Sequence, residues 1–148
     1  MAAGLTLQPS AYEAFTTAFD AEVRSVVNED LLTGVIYSDG DLNAQELNLQ
    51  TAQALREAGP WGQGFPEPIF DGEFEVVQKR IVGERHLKLQ LRSPGTQVVM
   101  DAIAFNTTDA AWPAEVQRLQ LAYRLEVNEF NGRVTPQLMV EQLQCLPG

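Results

Sequence analysis

Hydrophobic and polar residues alternate with a period of two through most of the second half of the chain. The clearest stretch is 86–92, in which Leu87, Leu89 and Leu91 are separated by polar side chains. Such alternation is typical of a β-strand with one buried face and one solvated face. The pattern predicts five strands, at residues 74–82, 86–92, 97–105, 119–127 and 134–143.

The segments between these strands contain residues that favour turns. Ser93-Pro94-Gly95 predicts a turn between the second and third strands, and Asn131-Gly132 predicts a tight hairpin between the last two. Residues 106–115 form a longer connection with room for a short helical turn. Five short strands with this spacing favour a small Greek-key barrel, the OB-fold, because an immunoglobulin-like sandwich needs about seven strands.

The first half of the chain has a helical period instead. Between Pro9 and Val27, apolar residues recur every three or four positions, and Ser10 with Glu13 resembles a capping box. Residues 31–37 predict a short strand, and a second helix is predicted from Asn43 to about Ala58. The predicted fold class is therefore mainly β with flanking helices (α+β): a five-stranded OB-fold barrel preceded by a helix–strand–helix segment.

Residues 59–70, GPWGQGFPEPIF, combine three prolines and three glycines with large apolar side chains. So many helix and strand breakers exclude a long regular element, yet a flexible linker would be more polar. We interpret the segment as a stiff joint that orients the barrel, with Trp61, Phe65 and Phe70 packed inside it. The alternative is that Trp61 stacks on DNA.

The charge of the chain is unevenly distributed. The net charge is −10, which by itself argues against a nucleic-acid partner. Residues 1–60 have a net charge of −7, but residues 78–92 contain half of all the lysines and arginines and have a net charge of +4. Local charge is therefore the better guide to function.

Few residues of this chain are suited to catalysis. His86 is the only histidine and Cys145 the only cysteine, so a histidine pair or a cysteine-based zinc site is excluded. No phosphate-binding Gly-rich loop occurs, and no apolar run approaches the roughly 18 residues of a membrane span. We predict no catalytic residue, no metal site and no membrane association, which suits a cytoplasmic protein.

The basic stretch offers a binding site instead. OB-folds bind oligonucleotides on the face of strands two and three, together with the loops after strands one and four. Single strands require a basic groove with an aromatic platform. Tyr123 is in phase with core leucines, so it is assigned to the core and not to a stacking platform. For the basic face itself, the alternative to a binding site is an ordinary solvated strand face. The predicted nucleic-acid-binding residues are Lys79, Arg80, Arg85, His86, Lys88, Arg92, Phe130 and Arg133.

Four stretches of the sequence resemble the C-terminal part of the RecJ family, bacterial exonucleases that digest single-stranded DNA from the 5′ end. They are the run from Gly59 to Arg92 (GPWGQGFPEPIFDGEFEVVQKRIVGERHLKLQLR), DAIAFN, LAYRLEVNEFNG and QLMVE. The first residues, MAAGLTL, also resemble the end of the G-G-H-x-x-A-A-G-like motif in the DHH-associated domain of that family. The Gly-Gly-His part of that motif and the whole DHH domain are missing from this sequence.

The resemblance implies three regions: 1–30 as a remnant of the DHH-associated domain, 31–70 as a connecting strand, helix and joint, and 71–148 as the OB-fold. It implies a parent enzyme that uses Mg²⁺ or Mn²⁺ in DNA repair and recombination. For this part it implies a grip on single-stranded DNA, next to the rest of the parent chain. Because the DHH motifs are missing, the chain alone is expected to be inactive as a nuclease.

Two other functions remain open from the sequence. The basic groove could hold the acidic tail of a single-strand-binding protein, because such a tail presents carboxylates and an aromatic side chain. A small-molecule phosphoesterase of the wider DHH group is the third possibility. The missing metal ligands weigh against it.

Overall fold

A barrel forms where the alternating residues predict it, in a computed structural model that describes residues 2–27, 34–107 and 116–147. The chain divides into two units, Met1–Ile36 and Tyr37–Gly148. Within the described residues, the first has one α-helix, and the second has a shorter α-helix followed by the barrel. Each unit is described by itself below.

The barrel is closed by five strands in the order β1-β2-β3-β5-β4. β3 and β5 run parallel, and the other neighbouring pairs are antiparallel. This is the arrangement expected of an OB-fold, so the predicted fold class is confirmed. The strands are β1 (Phe70–Val82), β2 (His86–Arg92), β3 (Val99–Ala104), β4 (Arg118–Phe130) and β5 (Arg133–Leu146).

The core consists of inward-facing residues of all five strands together with Leu47 and Ala52. Tyr123 is fully buried and its ring packs edge-on against Phe74, with the ring centroids 5.6 Å apart. Burial raises the pKa of the Tyr123 hydroxyl, and the nearby carboxylates of Asp41 and Asp71 raise it further. The assignment of Tyr123 to the core is therefore confirmed.

The turns follow the sequence closely. Asn131 and Gly132 have φ values of 50° and 73°, the left-handed geometry that a tight Asn-Gly hairpin requires. In β1 the pairing with β2 shifts between Val76 and Gln78, which indicates a β-bulge. The bulge sets which later residues of β1 face outward, and the sequence did not reveal it.

In the part of the chain that the structure describes, two α-helices precede the barrel, α1 (Tyr12–Val26) and α2 (Leu49–Glu57). The predicted capping box at Ser10 is wrong, because a 3-10 turn at Pro9–Ala11 leads into α1 and its N-cap residue Ala11 makes no side-chain bond. The residues that were predicted to end this helix, 28–30, lie outside the described part. None of the described helices has the length and apolar character needed to cross a membrane.

α2 begins later than predicted because two asparagines act in succession. Asn43 accepts hydrogen bonds from the backbone N–H groups of Gln45 and Glu46, but it caps only a single turn. Asn48 then caps α2 by accepting from Thr51 N at 2.8 Å. The described part of the predicted strand at 31–37, residues 34–37, is not a strand. Residues 31–33, and 108–115 of the connection after β3, lie outside the described part.

The proline-rich joint contains one anchored aromatic and one exposed aromatic. Trp61 is partly buried, and its indole N–H donates to the carbonyl oxygen of Leu55 at 3.1 Å. Phe65 stacks on Trp61 with centroids 4.8 Å apart, yet it remains 57% exposed, so the prediction that it packs inside the joint is wrong. Phe70 is the first residue of β1 and contacts Tyr123.

Candidate nucleic-acid interface

The side chains of β2 divide between the core and the surface as predicted. Its three leucines are at most 1% exposed. Successive side chains of a strand point to opposite faces, so the other four residues of β2 face outward. These are His86, Lys88, Gln90 and Arg92.

Arg80 and Lys88 form the centre of the basic surface. They are directly opposite each other in the β1–β2 ladder, so both side chains leave the same face of the barrel. Like charges in this position repel each other. Neither has an ion-pair partner in the described part of the chain, although Asp101 lines the same open depression together with Gln78 and Gln90. An anion bound between the two cations would relieve the repulsion.

An exposed aromatic lies next to this basic pair. The ring of Phe105 packs edge-on against His86 with centroids 4.9 Å apart, and Phe105 remains 50% exposed. His86 is itself held in place, because its Nδ1 accepts a hydrogen bond from the backbone N–H of Asn106 at 3.2 Å. Sequence analysis missed Phe105, although its position two residues after the outward-facing Ile103 could have identified it.

Arg85 lies at the same end of the barrel. It follows Gly83 and Glu84 in the turn between β1 and β2, where both residues have positive φ values. Arg85 is exposed and has no ion-pair partner among the described residues. Four predicted residues are therefore brought together here: Arg80, Arg85, His86 and Lys88.

Two of the predicted cations are placed differently from the sequence analysis. Lys79 is opposite Leu89, so it leaves the face of β1 that is turned away from Arg80, and it is partly buried. Arg92 faces outward but donates from Nε to the Glu75 carboxylate at 2.7 Å. The paired Arg92 therefore contributes less free positive charge than the sequence suggested.

Phe130 and Arg133 lie at the opposite end of the barrel from Arg85. They are cross-strand partners beside the β4–β5 hairpin, and Phe130 is 70% exposed. β5 is parallel to β3 and therefore antiparallel to β2, so this hairpin lies near the end of β2 and not near its beginning. The predicted set is thus spread over two ends of the barrel.

The electrostatic character changes along one row of outward residues around the barrel. The ladder pairs connect Lys88 to Ile103, then to Met139 and to Arg124. Unlike Lys88, Arg124 is surrounded by carboxylates at 2.5–3.0 Å, those of Glu67, Glu126 and Glu141. Burial disfavours the charged form of Arg124, but hydrogen bonds to Glu67 and Glu141 and the charge of Glu126 raise its pKa overall. Along this row, phosphate is therefore favoured beside Lys88 and disfavoured beside Arg124.

The described residues were also considered as metal ligands. They contain no group of three or more His, Cys, Asp or Glu side chains arranged to hold a metal ion. The donor set needed for Mg²⁺ or Mn²⁺ is thus not assembled in this part of the chain. The described residues do not fit such a site.

Comparison with protein families and relatives points to one family. The model of the RecJ OB domain matches residues 38–142. The single-stranded-DNA-specific exonuclease RecJ of Dickeya dadantii is 48% identical over 144 residues, and that of Escherichia coli is 44% identical over the same length. Each match covers 97% of this chain but 25% of the relative, so the chain spans about a quarter of these proteins.

A solved structure agrees at the level of the fold. The crystal structure of RecJ from Thermus thermophilus in complex with Mn²⁺ superposes with a TM-score of 0.67 at 23% identity. The superposed region covers 98% of this chain and 21% of the solved chain. A second structure of the same protein contains Mg²⁺ and gives the same TM-score.

Proposed function

The chain belongs to the RecJ OB domain family, and on this premise we propose that it holds single-stranded DNA for a 5′-to-3′ exonuclease. The strand would cross β1, β2 and β3 on the outer face of the barrel. The rest of the parent chain would carry the nuclease centre. This chain would therefore act by binding and positioning, not by cleaving.

The parent protein gives this role its context. We propose a cytoplasmic enzyme of DNA repair and recombination that uses Mg²⁺ or Mn²⁺. Because the described residues do not fit a metal site, we place the metal ions in the rest of the parent protein. Residues 1–30 are proposed to complete its DHH-associated domain, and residues 31–70 to connect that domain to the barrel.

The observation that carries the proposal is the cross-strand pair of Arg80 and Lys88. Two unpaired cations facing each other on a sheet are unfavourable unless an anion offsets their repulsion. A phosphate backbone supplies such anions in a row, and lysine and arginine contacts to phosphate account for most sequence-independent affinity. Asp101 lines the same depression and repels anions, so a bound phosphate should lie at the two cations and away from this carboxylate.

Phe105 supplies the second requirement of a single-strand site, which is a surface on which a base can stack. Its exposed ring is supported by His86, and Phe105 is two residues after Ile103, the ladder partner of Lys88. Every base has a π-face, so stacking on such a ring is tolerant of sequence. Arg85 and, at the far end, Phe130 and Arg133 would extend the same path for longer strands.

The alternative is a docking site for the acidic tail of a single-strand-binding protein. The same surface favours this candidate, because unpaired Arg80 and Lys88 lie close to apolar Ile103 and Phe105. Carboxylates of a tail could take the places proposed for phosphates. Its aromatic side chain could contact Phe105 in the way proposed for a base.

Titration of the chain with two labelled ligands separates these functions. One ligand is an oligothymidine and the other is an acidic peptide that ends in phenylalanine, each measured by fluorescence anisotropy at 50 mM and 200 mM salt. We expect the oligonucleotide to bind, with an affinity that falls as salt rises. If the peptide binds, the oligonucleotide does not bind, and the oligonucleotide does not displace the peptide, the single-strand role is contradicted and the docking site is established.

A further inference from the structure

A second cavity lies between α2, the joint and β4, away from the basic surface. Its volume is about 170 Å³, comparable with a cavity of about 150 Å³ that accommodates benzene. Leu55, Pro68, Leu125 and Val127 form much of its lining, and Trp61 forms one wall. We call it the Trp61 pocket. Its size and lining suit a single aromatic or leucine side chain.

The indole that forms this wall is fixed in place. The Trp61 N–H is already donated to the carbonyl oxygen of Leu55, and its outer face is covered by the Phe65 ring. The Trp61 wall of the pocket is thus held in place by a backbone hydrogen bond and a ring contact. An apolar side chain entering it would not have to order the wall first.

The Trp61 pocket is bordered by ion pairs in which carboxylates outnumber arginines. Arg56 contacts Glu129 at 3.0 Å, and Arg124 is shared among three carboxylates, those of Glu67, Glu126 and Glu141. Arg56, Arg124, Glu67 and Glu126 line the pocket, and their charges balance. Glu129 and Glu141 lie outside the lining against the same two arginines, so the pocket together with these ion-pair partners has two more carboxylates than guanidinium groups. Each guanidinium group is already ion-paired, Arg124 with three carboxylates and Arg56 with one.

Glu126 is a partly buried member of this group of charges. Burial raises the pKa of its carboxyl, Arg124 lowers it, and Glu67 and Glu141 raise it again, with a net upward shift. An additional cation at the rim would stabilise these carboxylates. The charge and the shape of the site therefore point to the same kind of ligand.

We propose that the Trp61 pocket binds a peptide segment of a partner protein in which an aromatic or leucine side chain is flanked by lysine or arginine. The apolar side chain enters the cavity. The flanking cations lie against Glu67 and Glu126. This site is separate from the basic surface, so a partner bound here leaves the surface around Arg80 and Lys88 free for DNA.

The test is an NMR titration of the ¹⁵N-labelled chain with three five-residue peptides. The chemical shift of the Trp61 indole N–H reports binding. The first peptide has phenylalanine between two lysines, the second has it between two glutamates, and the third has alanine between two lysines. The Trp112→Phe variant identifies the resonance of Trp61. We expect the first peptide alone to shift this resonance at millimolar concentration, and to bind more weakly as salt rises.

Variants locate the binding site. Glu126→Gln should weaken the first peptide by about fivefold or less, the range of a partly exposed ion pair. Ala52→Leu should fill part of the cavity and lower the affinity for the first peptide by about tenfold or more. Glu73→Gln is the matched control, because Glu73 is also ion-paired on a strand but does not line the pocket. Thermal unfolding of each variant verifies that it is folded.

Several results would overturn the proposal. These are equal or tighter binding of the acidic peptide, no binding of any peptide, or unchanged binding in both folded pocket variants. Displacement of the first peptide by an oligothymidine would also contradict it, since the pocket would then belong to the DNA path. The Arg80→Ala/Lys88→Ala variant should bind the peptide normally, so failure of this proposal is distinct from failure of the DNA-binding role.

Discussion

Replacing Phe105 with alanine is expected to weaken binding of a single-stranded oligonucleotide by about 1–3 kcal/mol, the effect of losing one stacked base. Half of the Phe105 side chain is already exposed, so the folded chain should lose little stability. The salt dependence of binding should stay nearly the same, because no phosphate contact is removed. Fluorescence anisotropy with oligothymidines of about 4 and 16 nucleotides, the range of sites on OB-folds, provides the measurement.

Phe130→Ala is the matched control for this prediction, since Phe130 is a second exposed aromatic on the same barrel. The two rings are separated by at least the length of β2, roughly 20 Å. A short oligonucleotide bound at Phe105 should not reach Phe130, so Phe130→Ala should affect only the longer one. A loss of short-oligonucleotide binding in Phe130→Ala but not in Phe105→Ala would place the binding site at the other end of the barrel.

Replacing Leu89 with alanine is expected to lower the free energy of unfolding by about 2–5 kcal/mol, the range for truncating a fully buried leucine. Leu89 is 1% exposed and faces the inside of the barrel. The neighbouring residue gives the control. Lys88→Ala should change stability by no more than about 0.5 kcal/mol, because its side chain leaves the opposite face. Chemical denaturation followed by circular dichroism measures both variants.

This pair also tests the strand register. A shift of one residue would exchange the inner and outer faces of β2 completely. The two variants would then show the opposite order of stabilities. Equal losses from both would mean that β2 is buried on both faces, which would exclude a binding surface there.

The sequence was sufficient to predict β2 and its two faces, because strict alternation of leucine and polar residues has only one strand interpretation. It was also sufficient for the Asn131-Gly132 hairpin, since both φ values are positive there. The start of α2 could not be predicted as well. Asn43 and Asn48 both have capping side chains, and only the packing of the following residues decides which one begins the helix.

The candidate site was harder to predict because it depends on pairing between strands. Counting charges placed Lys79 and Arg80 together, but adjacent residues of a strand face opposite sides. The Glu75 partner of Arg92 depends on the β1–β2 register, which is interrupted by the bulge at Val76/Gln78. Proximity in sequence therefore overestimated the number of cations that share one surface.

The joint illustrates a different difficulty. Trp61, Phe65 and Phe70 were predicted to pack inside it, because a flexible linker would be more polar. Trp61 is partly buried, as expected, but Phe65 only stacks on one face of the indole and otherwise remains exposed. Composition alone could not distinguish an aromatic that anchors the joint from one that covers it.

The salt dependence of oligonucleotide binding tests the central claim most directly, by comparing the chain with its Arg80→Ala/Lys88→Ala variant. Each phosphate contact to a single strand contributes about 0.7 to the slope of log affinity against log salt concentration, so the double variant should flatten the slope by about 1.4. The Arg92→Ala/Arg118→Ala variant changes the net charge equally, but its two arginines are ion-paired with Glu75 and Glu73. Its slope should change much less. An unchanged slope in the first variant, or equal flattening in both, would contradict the account.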